Sequence, residues 1–523
     1  MLKVFIRKEM KVRQIFGLVS IVIILITIGI SFFWSPILWL FVIIIPVILM
    51  GIFDMVQKKH AIRRNFPVVG RARYLLESIR PEIMQYFVET DTEGRPLDRV
   101  TRSMIYQRAK NVTDTVPFGT QMDTYEAGYE WMNHSMYAGR MKVDEDPRVM
   151  IGGEHCTQPY SASLLNVSAM SYGSLSKNAV LALNGGAKMG RFAHNTGEGG
   201  ISPYHLEKGG DLIWQVGTGY FGCRDDHGKF SPELFEKNSR IPNVKMIELK
   251  ISQGAKPGHG GILPASKNTE EIAAIRHVKP FTKVESPPSH SAFKDPEGLL
   301  RLLHQMRELS GGKPVGFKLC IGIKQEFIDI CEAMVRTGLK PDFITIDGGE
   351  GGTGAAPVEF SNSLGMPMLD GLAFAVDTLQ GYGLKEDIKV MASGKITSSF
   401  HIARALAIGA DLCCSARAMM LAIGCIQALQ CNKNTCPTGV ATQDKELMKG
   451  LDVTDKTVRT YFYHKNTMKN FAELISAAGL IHHSEIDRSY INLRVAMNQV
   501  MRYDELYPEV EAGSYLDRMK VHS

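Results

Sequence analysis

Two long apolar runs lie near the start of the chain, and a different pattern of short apolar runs begins near residue 164. Residues 15–33 carry no charged side chain, and a second uncharged run covers residues 37–53. Each run approaches the roughly 20 residues that a helix needs to cross a bilayer. Neither run has a polar face, which disfavours the buried helical hairpin of a soluble protein. The pattern therefore predicts a transmembrane hairpin of two helices within residues 1–60.

Basic side chains flank this hairpin on both sides. They are Lys3, Arg7, Lys8, Lys11 and Arg13 before it, and Lys58, Lys59, Arg63 and Arg64 after it. The positive-inside rule places both ends in the cytoplasm. We find no single short apolar region followed by the small-residue site of a cleaved signal peptide. We therefore predict a multi-pass protein of the cell membrane whose catalytic domain is cytoplasmic.

From residue 164 onward, short apolar runs alternate with amphipathic helical patterns. Eight runs are typical of strands, at residues 165–170, 191–196, 212–217, 245–252, 314–321, 343–347, 389–394 and 412–416. Eight strands alternating with helices over roughly 250 residues predict an α/β fold, the (β/α)8 TIM barrel. We place this domain at residues 150–445. A doubly wound sheet remains the alternative, because strand order cannot be read from one sequence.

The segments on either side of the predicted barrel carry less information. Residues 61–149 contain charged helical stretches and loop signals but no assignable motif. We interpret them as a linker and packing layer. Residues 446–523 are predicted to form a helical extension.

Small and polar residues follow several predicted strands, at the carboxyl ends where a barrel builds its active site. The sequences there are SAMSYGSLS, HNTGEGG, SQGAKPGHGG, DGGEGGTGAAP, SGK and SARAMM. Glycine lets the backbone approach a ligand closely, and exposed amides bind oxyanions. The segments after the seventh and eighth strands lie where barrels commonly bind phosphate. Together, these strand ends indicate a phosphate-bearing cofactor.

Charge and cysteine content narrow the possible functions. The net charge of +6 is spread over 523 residues without a long basic run, so we predict no nucleic-acid partner. Three of the nine cysteines, Cys425, Cys431 and Cys436, fall within twelve residues. Disulfides are disfavoured in a reducing cytoplasm, which leaves metal binding or redox chemistry. Structural zinc would need a fourth ligand from elsewhere in the chain.

Several of these segments together resemble the glutamate synthase family. SAMSYGSLS, NTGEGG, KISQGAKPGHGG, DGGEGGTGAAP and GCIQALQCNKNTCPTGVATQD occur in the order of its central synthase domain. The resemblance covers roughly residues 148–486 and is nearest to short, stand-alone members, some of which follow transmembrane segments. It implies an FMN-binding (β/α)8 barrel. In the family, reduced FMN delivers a hydride from N5 to 2-iminoglutarate, formed from 2-oxoglutarate and ammonia, and L-glutamate results.

The resemblance also implies which residues contact the flavin. Positions that border the isoalloxazine ring match Ser168, Ala169, Met170, Asn195, Gln253 and Lys318, and Lys250 lies on a matched strand. A lysine near the flavin pyrimidine would stabilise the negative charge of the reduced ring. A lysine that simply pairs with a carboxylate along the barrel is the alternative for Lys250. The ribityl phosphate is expected at Ser393, Gly394, Ser415, Ala416 and Arg417.

Two basic residues are candidates for substrate binding. Arg276 lies 23 residues after Gln253, the spacing at which the family places an arginine that contacts 2-oxoglutarate. Its planar fork can bind a carboxylate through two hydrogen bonds, although a surface position on an amphipathic helix is the alternative. Lys256 is the second candidate. In the same loop, His259 replaces a family glutamate and Ile262 replaces a glutamine, which leaves the identity of the oxo acid open.

The cysteine group gains a specific interpretation from the resemblance. Family members bind a 3Fe-4S cluster through three cysteines with five and four residues between them, and Cys425, Cys431 and Cys436 have this spacing. Thiolates are soft, anionic ligands that suit iron. The segment 425–436 is therefore expected to admit electrons. Cys413 and Cys414 are interpreted as buried residues of the eighth strand.

Parts of the large glutamate synthases have no counterpart in this sequence. The chain begins Met-Leu-Lys rather than with the catalytic cysteine of a glutaminase domain, and no dinucleotide fingerprint joins a strand to a helix. We therefore expect ammonia from solution or from a partner, and electrons from a ferredoxin or a flavoprotein. Two other functions stay open. One is a membrane-bound electron-transfer subunit, and the other is an FMN oxidoreductase acting on another 2-oxo or amino acid.

Overall fold

The computed structural model describes residues 11–112, 115–138 and 146–517. The chain folds into two compact units, Met1–Arg95 and Pro96–Ser523. Lys3, Arg7 and Lys8, which contributed to the predicted membrane orientation, lie outside the described residues.

Two apolar helices form most of the first unit. Helix α1 spans Val12–Ser31, helix α2 spans Phe41–Val56, and a 3-10 turn at Ser35–Leu40 joins them. The helices approach closely where a Cβ atom at Gly51 would come within 2.1 Å of the Phe16 ring. Both apolar segments are long enough to cross a membrane, and only 6% of the most apolar stretch of each is buried. The two predicted apolar helices are confirmed.

A buried carboxylate ties the end of helix α2 to the segments that follow it. These are helix α3 (Ala61–Asn65) and helix α4 (Gly70–Ile83), which continues into a single π-helical turn at Met84–Val88. Asp54 accepts hydrogen bonds from Arg71 Nε at 2.8 Å and Nη2 at 2.9 Å. Arg63 Nε and the Val68 amide each bind the same carboxylate at 3.2 Å. Asp54 therefore fixes where helix α4 begins relative to the end of helix α2.

The second unit contains the strands and the remaining helices. The strands are β1 Glu130–Met132, β2 Arg148–Ile151, β3 Tyr160–Ser163, β4 Leu165–Val167, β5 His194–Asn195, β6 Leu212–Val216, β7 Val244–Lys250, β8 Ile262–Leu263, β9 Val284–Glu285, β10 Val315–Leu319, β11 Phe343–Asp347, β12 Lys389–Ser393, β13 Leu412–Ser415, β14 Ile491–Ala496 and β15 Gln499–Arg502. The helices are α5 Arg99–Lys110, α6 Lys177–Gly190, α7 Pro203–Glu207, α8 Pro232–Ser239, α9 Glu270–Arg276, α10 Pro296–Leu309, α11 Lys324–Thr337, α12 Val358–Ser363, α13 Met368–Gly381, α14 Ser399–Ile408, α15 Arg417–Ala422, α16 Lys445–Met448, α17 Val453–Ala477 and α18 Tyr503–Leu506.

Eight of these strands close into a parallel barrel in the order β4-β5-β6-β7-β10-β11-β12-β13. The seam closes where β13 pairs with β4, with Ser415 opposite Val167. All eight predicted strands coincide with these barrel strands. The (β/α)8 barrel is confirmed, and the doubly wound alternative is wrong. Strands such as β10 (VGFKL) and β11 (FITID) are buried along their whole length, as expected for parallel strands enclosed by helices.

Polar side chains occupy part of the barrel interior. The Glu248 carboxylate, on β7, accepts hydrogen bonds from Asn195 Nδ2 at 2.8 Å, Gln215 Nε2 at 2.6 Å and Thr345 Oγ1 at 2.6 Å. These donors lie on β5, β6 and β11. Because a buried carboxylate is costly unless it is hydrogen-bonded, this network holds one rotamer of each partner in place.

Segments outside the barrel pack against its helices. Helix α5 packs on helix α17, which also packs on α6. Strand β1 pairs with β14, which forms a hairpin with β15. Within the predicted helical extension, helices α16, α17 and α18 are interrupted by strands β14 and β15, and the alternating pattern of INLRVA is typical of a strand.

Candidate active site

A cleft at the carboxyl ends of the barrel strands brings most of the predicted site residues together. It holds about 1310 Å³ of empty space, open mouth included. The predicted residues that line it are Ser168, Ala169, Met170, Lys250, Gln253, Lys256, Arg276, Lys318, Ser393, Gly394, Ser415, Ala416, Arg417 and Cys431.

The Asn195 side chain points into the barrel interior, and its flavin contact stays a prediction. Its side chain is directed toward Glu248, and its Oδ1 accepts a hydrogen bond from the Gly197 amide at 3.0 Å. It does not line the cleft. Asn195 therefore contributes to the cleft indirectly. It binds Glu248 in the barrel interior and the backbone of Gly197, which lines the cleft.

Hydroxyl groups, one arginine and one glycine form one end of the cleft. Ser168 and Ser393 place their Oγ atoms 3.4 Å apart, and Ser415 Oγ donates to the Ile396 carbonyl at 2.6 Å. Gly394 has a φ of +146°, and a Cβ atom there would lie 2.9 Å from Met368 Cβ. Arg417 Nη2 donates to the Glu350 carbonyl at 2.6 Å. Hydroxyls, a guanidinium and close backbone are the donors that a phosphate group requires.

Two lysines near the middle of the cleft are paired with carboxylates. Lys318 Nζ lies 3.4 Å from Asp347 Oδ2. Burial alone would lower the pKa of Lys318, but Asp347 and Glu248 outweigh it and hold that pKa above its ordinary value. Lys250 Nζ lies 2.9 Å from Glu198 Oε2 and donates to Gln253 Oε1 at 2.6 Å. Lys250 thus pairs with a carboxylate, as the alternative stated, and it also lines the cleft.

Glu198 is the residue that the sequence analysis missed. It is the acidic residue of HNTGEGG, and it faces Lys250, Lys256 and Arg276. Burial favours its neutral form, but these three cations outweigh burial and lower its pKa. Glycines make room for it, since a Cβ atom at Gly261 would lie 2.4 Å from Glu198 Oε1. An acidic residue among glycines at a strand end was the available signal.

Arg276 is buried, so the predicted alternative of a surface position is wrong. It is 5% exposed at the end of helix α9, and its guanidinium lies 5.2 Å from the centre of the Phe221 ring. Its Nη2 donates to the Tyr172 carbonyl at 3.1 Å, whereas its Nε has no partner among the described residues. Burial lowers its pKa to about 10, although Glu198 opposes this change.

Lys256 is the second buried cation at this end of the cleft. It is 3% exposed, and its Nζ donates to the Ala355 carbonyl at 2.8 Å. Burial lowers its pKa to about 8, Glu198 acts to raise it, and Lys250 lowers it further. Within the part of the chain that the structure describes, no ion pair joins Lys256 or Arg276 to a carboxylate within 4 Å.

The loop after β7 is enclosed by neighbouring backbone. A Cβ atom at Gly254 would lie 1.6 Å from the Gly348 carbonyl oxygen, and one at Gly260 would lie 1.8 Å from that of Ser286. Of the two residues that depart from the family, Ile262 lines the cleft and His259 does not. His259 instead packs edge-on against the Phe360 ring, with the ring centres 5.3 Å apart. Of the two residues that differ from the family, only Ile262 therefore faces the cleft.

The three clustered cysteines lie close enough to influence one another. Burial, together with Cys431 and Cys436, raises the pKa of Cys425 to about 12. No group of three His, Cys, Asp or Glu side chains in the described ranges is arranged to hold a single metal ion. In a 3Fe-4S cluster each thiolate binds a different iron atom, so its ligands need not converge on one point. The cluster stays a prediction.

Hydrogen bonds attach the cysteine segment to distant parts of the chain. Asn434 Nδ2 donates to the Ser266 carbonyl at 3.2 Å. Gln427 pairs with Leu97 in both directions, its Oε1 accepting from the Leu97 amide at 3.2 Å and its Nε2 donating to the Leu97 carbonyl at 3.0 Å. Tyr106 donates to the Cys425 carbonyl at 2.7 Å. Hydrogen bonds to distant residues thus hold the cysteine segment near both of its ends.

Comparison with known proteins gives consistent matches. The conserved region in glutamate synthase matches residues 104–481. A glutamate synthase large subunit-like protein, YerD of Bacillus subtilis, is 37% identical over 508 residues, covering 89% of this chain and 96% of that protein. An archaeal-type glutamate synthase (NADPH) of a Thermotoga species is 34% identical over 330 residues, which covers 62% of each chain. The flavin-binding domain of baker's yeast flavocytochrome b2 has a TM-score of 0.42 at 11% identity, covering 82% of this chain and 86% of that one.

Proposed function

The chain belongs to the glutamate synthase family, and on that basis we propose that it is an FMN-dependent oxidoreductase that forms L-glutamate from 2-oxoglutarate and ammonia. The observation that carries the proposal is the pair of buried cations, Lys256 and Arg276, that form no ion pair within 4 Å with a carboxylate of the described residues. Two other lysines of the cleft are balanced by direct ion pairs, Lys250 by Glu198 and Lys318 by Asp347. Two unbalanced positive charges match the two carboxylates of a 2-oxo diacid.

Buried charge explains why this arrangement favours an anionic substrate. A buried cation without a counter-ion is costly, so an arriving carboxylate recovers part of that cost. Arg276 offers the unpartnered Nε as part of a planar fork, and its position over Phe221 limits its rotation. Lys256 adds a point charge from the loop after β7. Together they would orient the substrate with its keto carbon toward the middle of the cleft.

FMN fits the remaining part of the cleft. Ser168, Ser393, Gly394, Ser415 and Arg417 line the cleft and would bind the phosphate. Lys250 and Lys318 line it too, and a positive charge beside the flavin would stabilise its reduced form. FMN, when bound, supplies the hydride for reductive amination. The protein would bind the diacid, exclude solvent and keep Lys318 charged through Asp347, which raises the pKa of that lysine.

Electrons are proposed to enter through a 3Fe-4S cluster held by Cys425, Cys431 and Cys436. The support is the spacing of the three cysteines, together with Cys431 in the cleft wall. A ferredoxin or a flavoprotein would be the donor. Ammonia would come from solution or from a partner protein.

The two apolar helices are proposed to anchor the protein in the cell membrane, with the barrel in the cytoplasm. The support is their length, their apolar surface and their lack of burial. Lys58, Lys59, Arg63 and Arg64 after the second helix suit the cytoplasmic side.

The purified full-length protein tests these proposals. With added FMN, 2-oxoglutarate, ammonium and dithionite, we expect L-glutamate to accumulate. Arg276→Ala should abolish this activity while the flavin content is unchanged. Arg224→Ala is the matched control, because Arg224 contacts the same Phe221 ring at 5.7 Å but does not line the cleft. Reduction of the flavin without any amination would contradict the proposal and favour an electron-transfer subunit.

A second function is favoured by Ile262. An apolar side chain lines the cleft where the family has a polar amide, so another 2-oxo acid with a less polar side chain is the alternative substrate. Comparison of 2-oxoglutarate with 2-oxoisocaproate in the same assay distinguishes the two.

The cluster requires a separate measurement. We expect the oxidised, anaerobically prepared and iron-replete protein to show the electron paramagnetic resonance signal of a 3Fe-4S cluster. Absence of this signal would contradict the cluster assignment without affecting the substrate proposal.

A further inference from the structure

We propose that helix α4 lies on the membrane surface, with its apolar face in the lipid. The inference rests on the proposed membrane anchoring and goes beyond it, because helix α4 is outside both apolar helices. It assigns a lipid-binding role to a helix that the functional site does not use.

The apolar residues of helix α4 form one stripe that no protein covers in the described structure. Leu75, Leu76, Ile79 and Ile83 recur at the spacing that places side chains on one face of a helix. Leu75 is 63% exposed and Leu76 is 59% exposed. The opposite face carries Ser78 and the Arg73–Glu77 ion pair, whose atoms lie 3.0 Å apart. Such a stripe requires an apolar occupant.

The Asp54 carboxylate places this helix at the level of the membrane surface. Arg71, in the first turn of helix α4, binds Asp54 through two hydrogen bonds. Asp54 belongs to the last turn of helix α2, which ends at Val56. Helix α4 therefore begins at the depth at which helix α2 leaves the hydrocarbon. Gly70 permits helix α4 to begin close to helix α3, since a Cβ atom there would lie 3.0 Å from Arg63 Cα.

The composition of this region favours lipid over a second protein. Exposed basic side chains precede the helix at Lys58, Lys59 and Arg64 and would face anionic headgroups. Aromatic side chains follow in the π-helical turn, where Phe87 is 84% exposed. A basic start, an apolar stripe and terminal aromatic rings are typical of helices that lie in the membrane interface.

Photocrosslinking of the full-length protein in lipid nanodiscs tests this inference. The photoreactive residue p-benzoylphenylalanine replaces Leu76 on the apolar face, Ser78 on the opposite face, or Leu25 in helix α1. The nanodiscs contain phosphatidylethanolamine and phosphatidylglycerol, and mass spectrometry identifies the adducts. We expect lipid adducts at positions 25 and 76, and about fivefold fewer at position 78.

The three positions separate this inference from the anchoring on which it depends. Lipid adducts at position 25 with none at position 76 would overturn the surface location of helix α4 and leave the anchoring intact. Adducts to a second copy of the chain, or to another part of the same chain, at position 76 would also overturn it. Absence of lipid at both positions would contradict the anchoring itself.

Discussion

The carboxylate Oε2 of Glu198 lies 2.9 Å from Nζ of Lys250, and the same carboxylate faces Lys256 and Arg276. One anion therefore partly neutralises three cations, which come from β7, from the loop after it and from helix α9. Only Lys250 forms an ion pair with it within 4 Å among the described residues.

We expect Lys250→Met to lower the free energy of unfolding by about 2–3 kcal/mol. The substitution leaves the mostly buried Glu198 carboxylate without its nearest cation, and breaking a fully buried pair costs about 3–5 kcal/mol. The double variant Lys250→Met/Glu198→Gln should be more stable than Lys250→Met alone. Thermal denaturation of the wild type, Lys250→Met and the double variant measures the order of their stabilities. Equal Tm values for the single and double variants would show that the pair contributes no stability.

The contribution of Glu198 to stability should depend on pH. Its folded-state pKa lies below the ordinary value of 4.5, so the contribution is present above that pH and is lost as pH falls through the folded-state pKa. The difference in Tm between wild type and Glu198→Gln should therefore be constant near pH 7 and shrink below about pH 4.5. A difference that grows on acidification would have the wrong sign.

Substrate affinity should weaken above pH 8. Lys256, with a pKa of about 8, loses its charge there, while Arg276, with a pKa of about 10, keeps its own. We expect KM for 2-oxoglutarate to rise up to about tenfold between pH 8 and pH 9 in the wild type. Lys256→Met should have a high KM that is nearly constant over this range. An unchanged pH dependence in that variant would exclude Lys256 as the titrating group.

Ile262→Gln should shift substrate preference toward 2-oxoglutarate. A new amide in the cleft can add one hydrogen bond to a charged group, and a gain of about 1.4 kcal/mol changes kcat/KM about tenfold. His259→Glu is the matched control, because His259 also departs from the family but packs on Phe360 outside the cleft. The ratio of kcat/KM for 2-oxoglutarate and 2-oxoisocaproate measures the shift. Equal shifts in Ile262→Gln and His259→Glu would show that a side chain need not line the cleft to change substrate specificity.

Gln427→Ala should loosen the cysteine segment. The substitution removes both hydrogen bonds to Leu97, which help to hold residue 427 at its strained φ of +58°. We expect amide hydrogen exchange across residues 425–431 to accelerate at least about tenfold. Lys433→Ala, at an exposed position of the same segment, should leave exchange unchanged. Unaltered exchange in Gln427→Ala would mean that other contacts hold the segment.

The barrel was predictable from the sequence because its strands are short apolar runs between clear helical patterns. The location of the cleft followed from the same pattern, since parallel strands end at one edge. The role of Glu198 was not predictable in this way, because its three cationic partners come from β7, from the loop after it and from helix α9. Sequence spacing does not show which loops converge.

The burial of Arg276 depends on residues that carry no chemical signal of their own. A Cβ atom at Gly173 would lie 3.1 Å from Arg276 Nη2, and one at Gly199 would lie 2.9 Å from it. These two glycines create the space that the guanidinium occupies. The periodicity of the helix alone therefore suggested that Arg276 lies on the surface. The packing of glycines that are distant in sequence determines that it is buried. The hydrogen bond from the Asn195 amide to Glu248 in the barrel interior was likewise not visible in the sequence.

The contacts of Gly254 and Gly260 bear on how this site can diversify in evolution. Backbone meets backbone at both positions, at the Gly348 carbonyl and at the Ser286 carbonyl, so any side chain there would displace a neighbouring loop. The main-chain path around the substrate is therefore hard to change by single mutations. Position 262 is free of this restriction, because its side chain faces open space in the cleft. Lineages that share this barrel can thus acquire new substrates through one exchangeable side chain on an inherited loop.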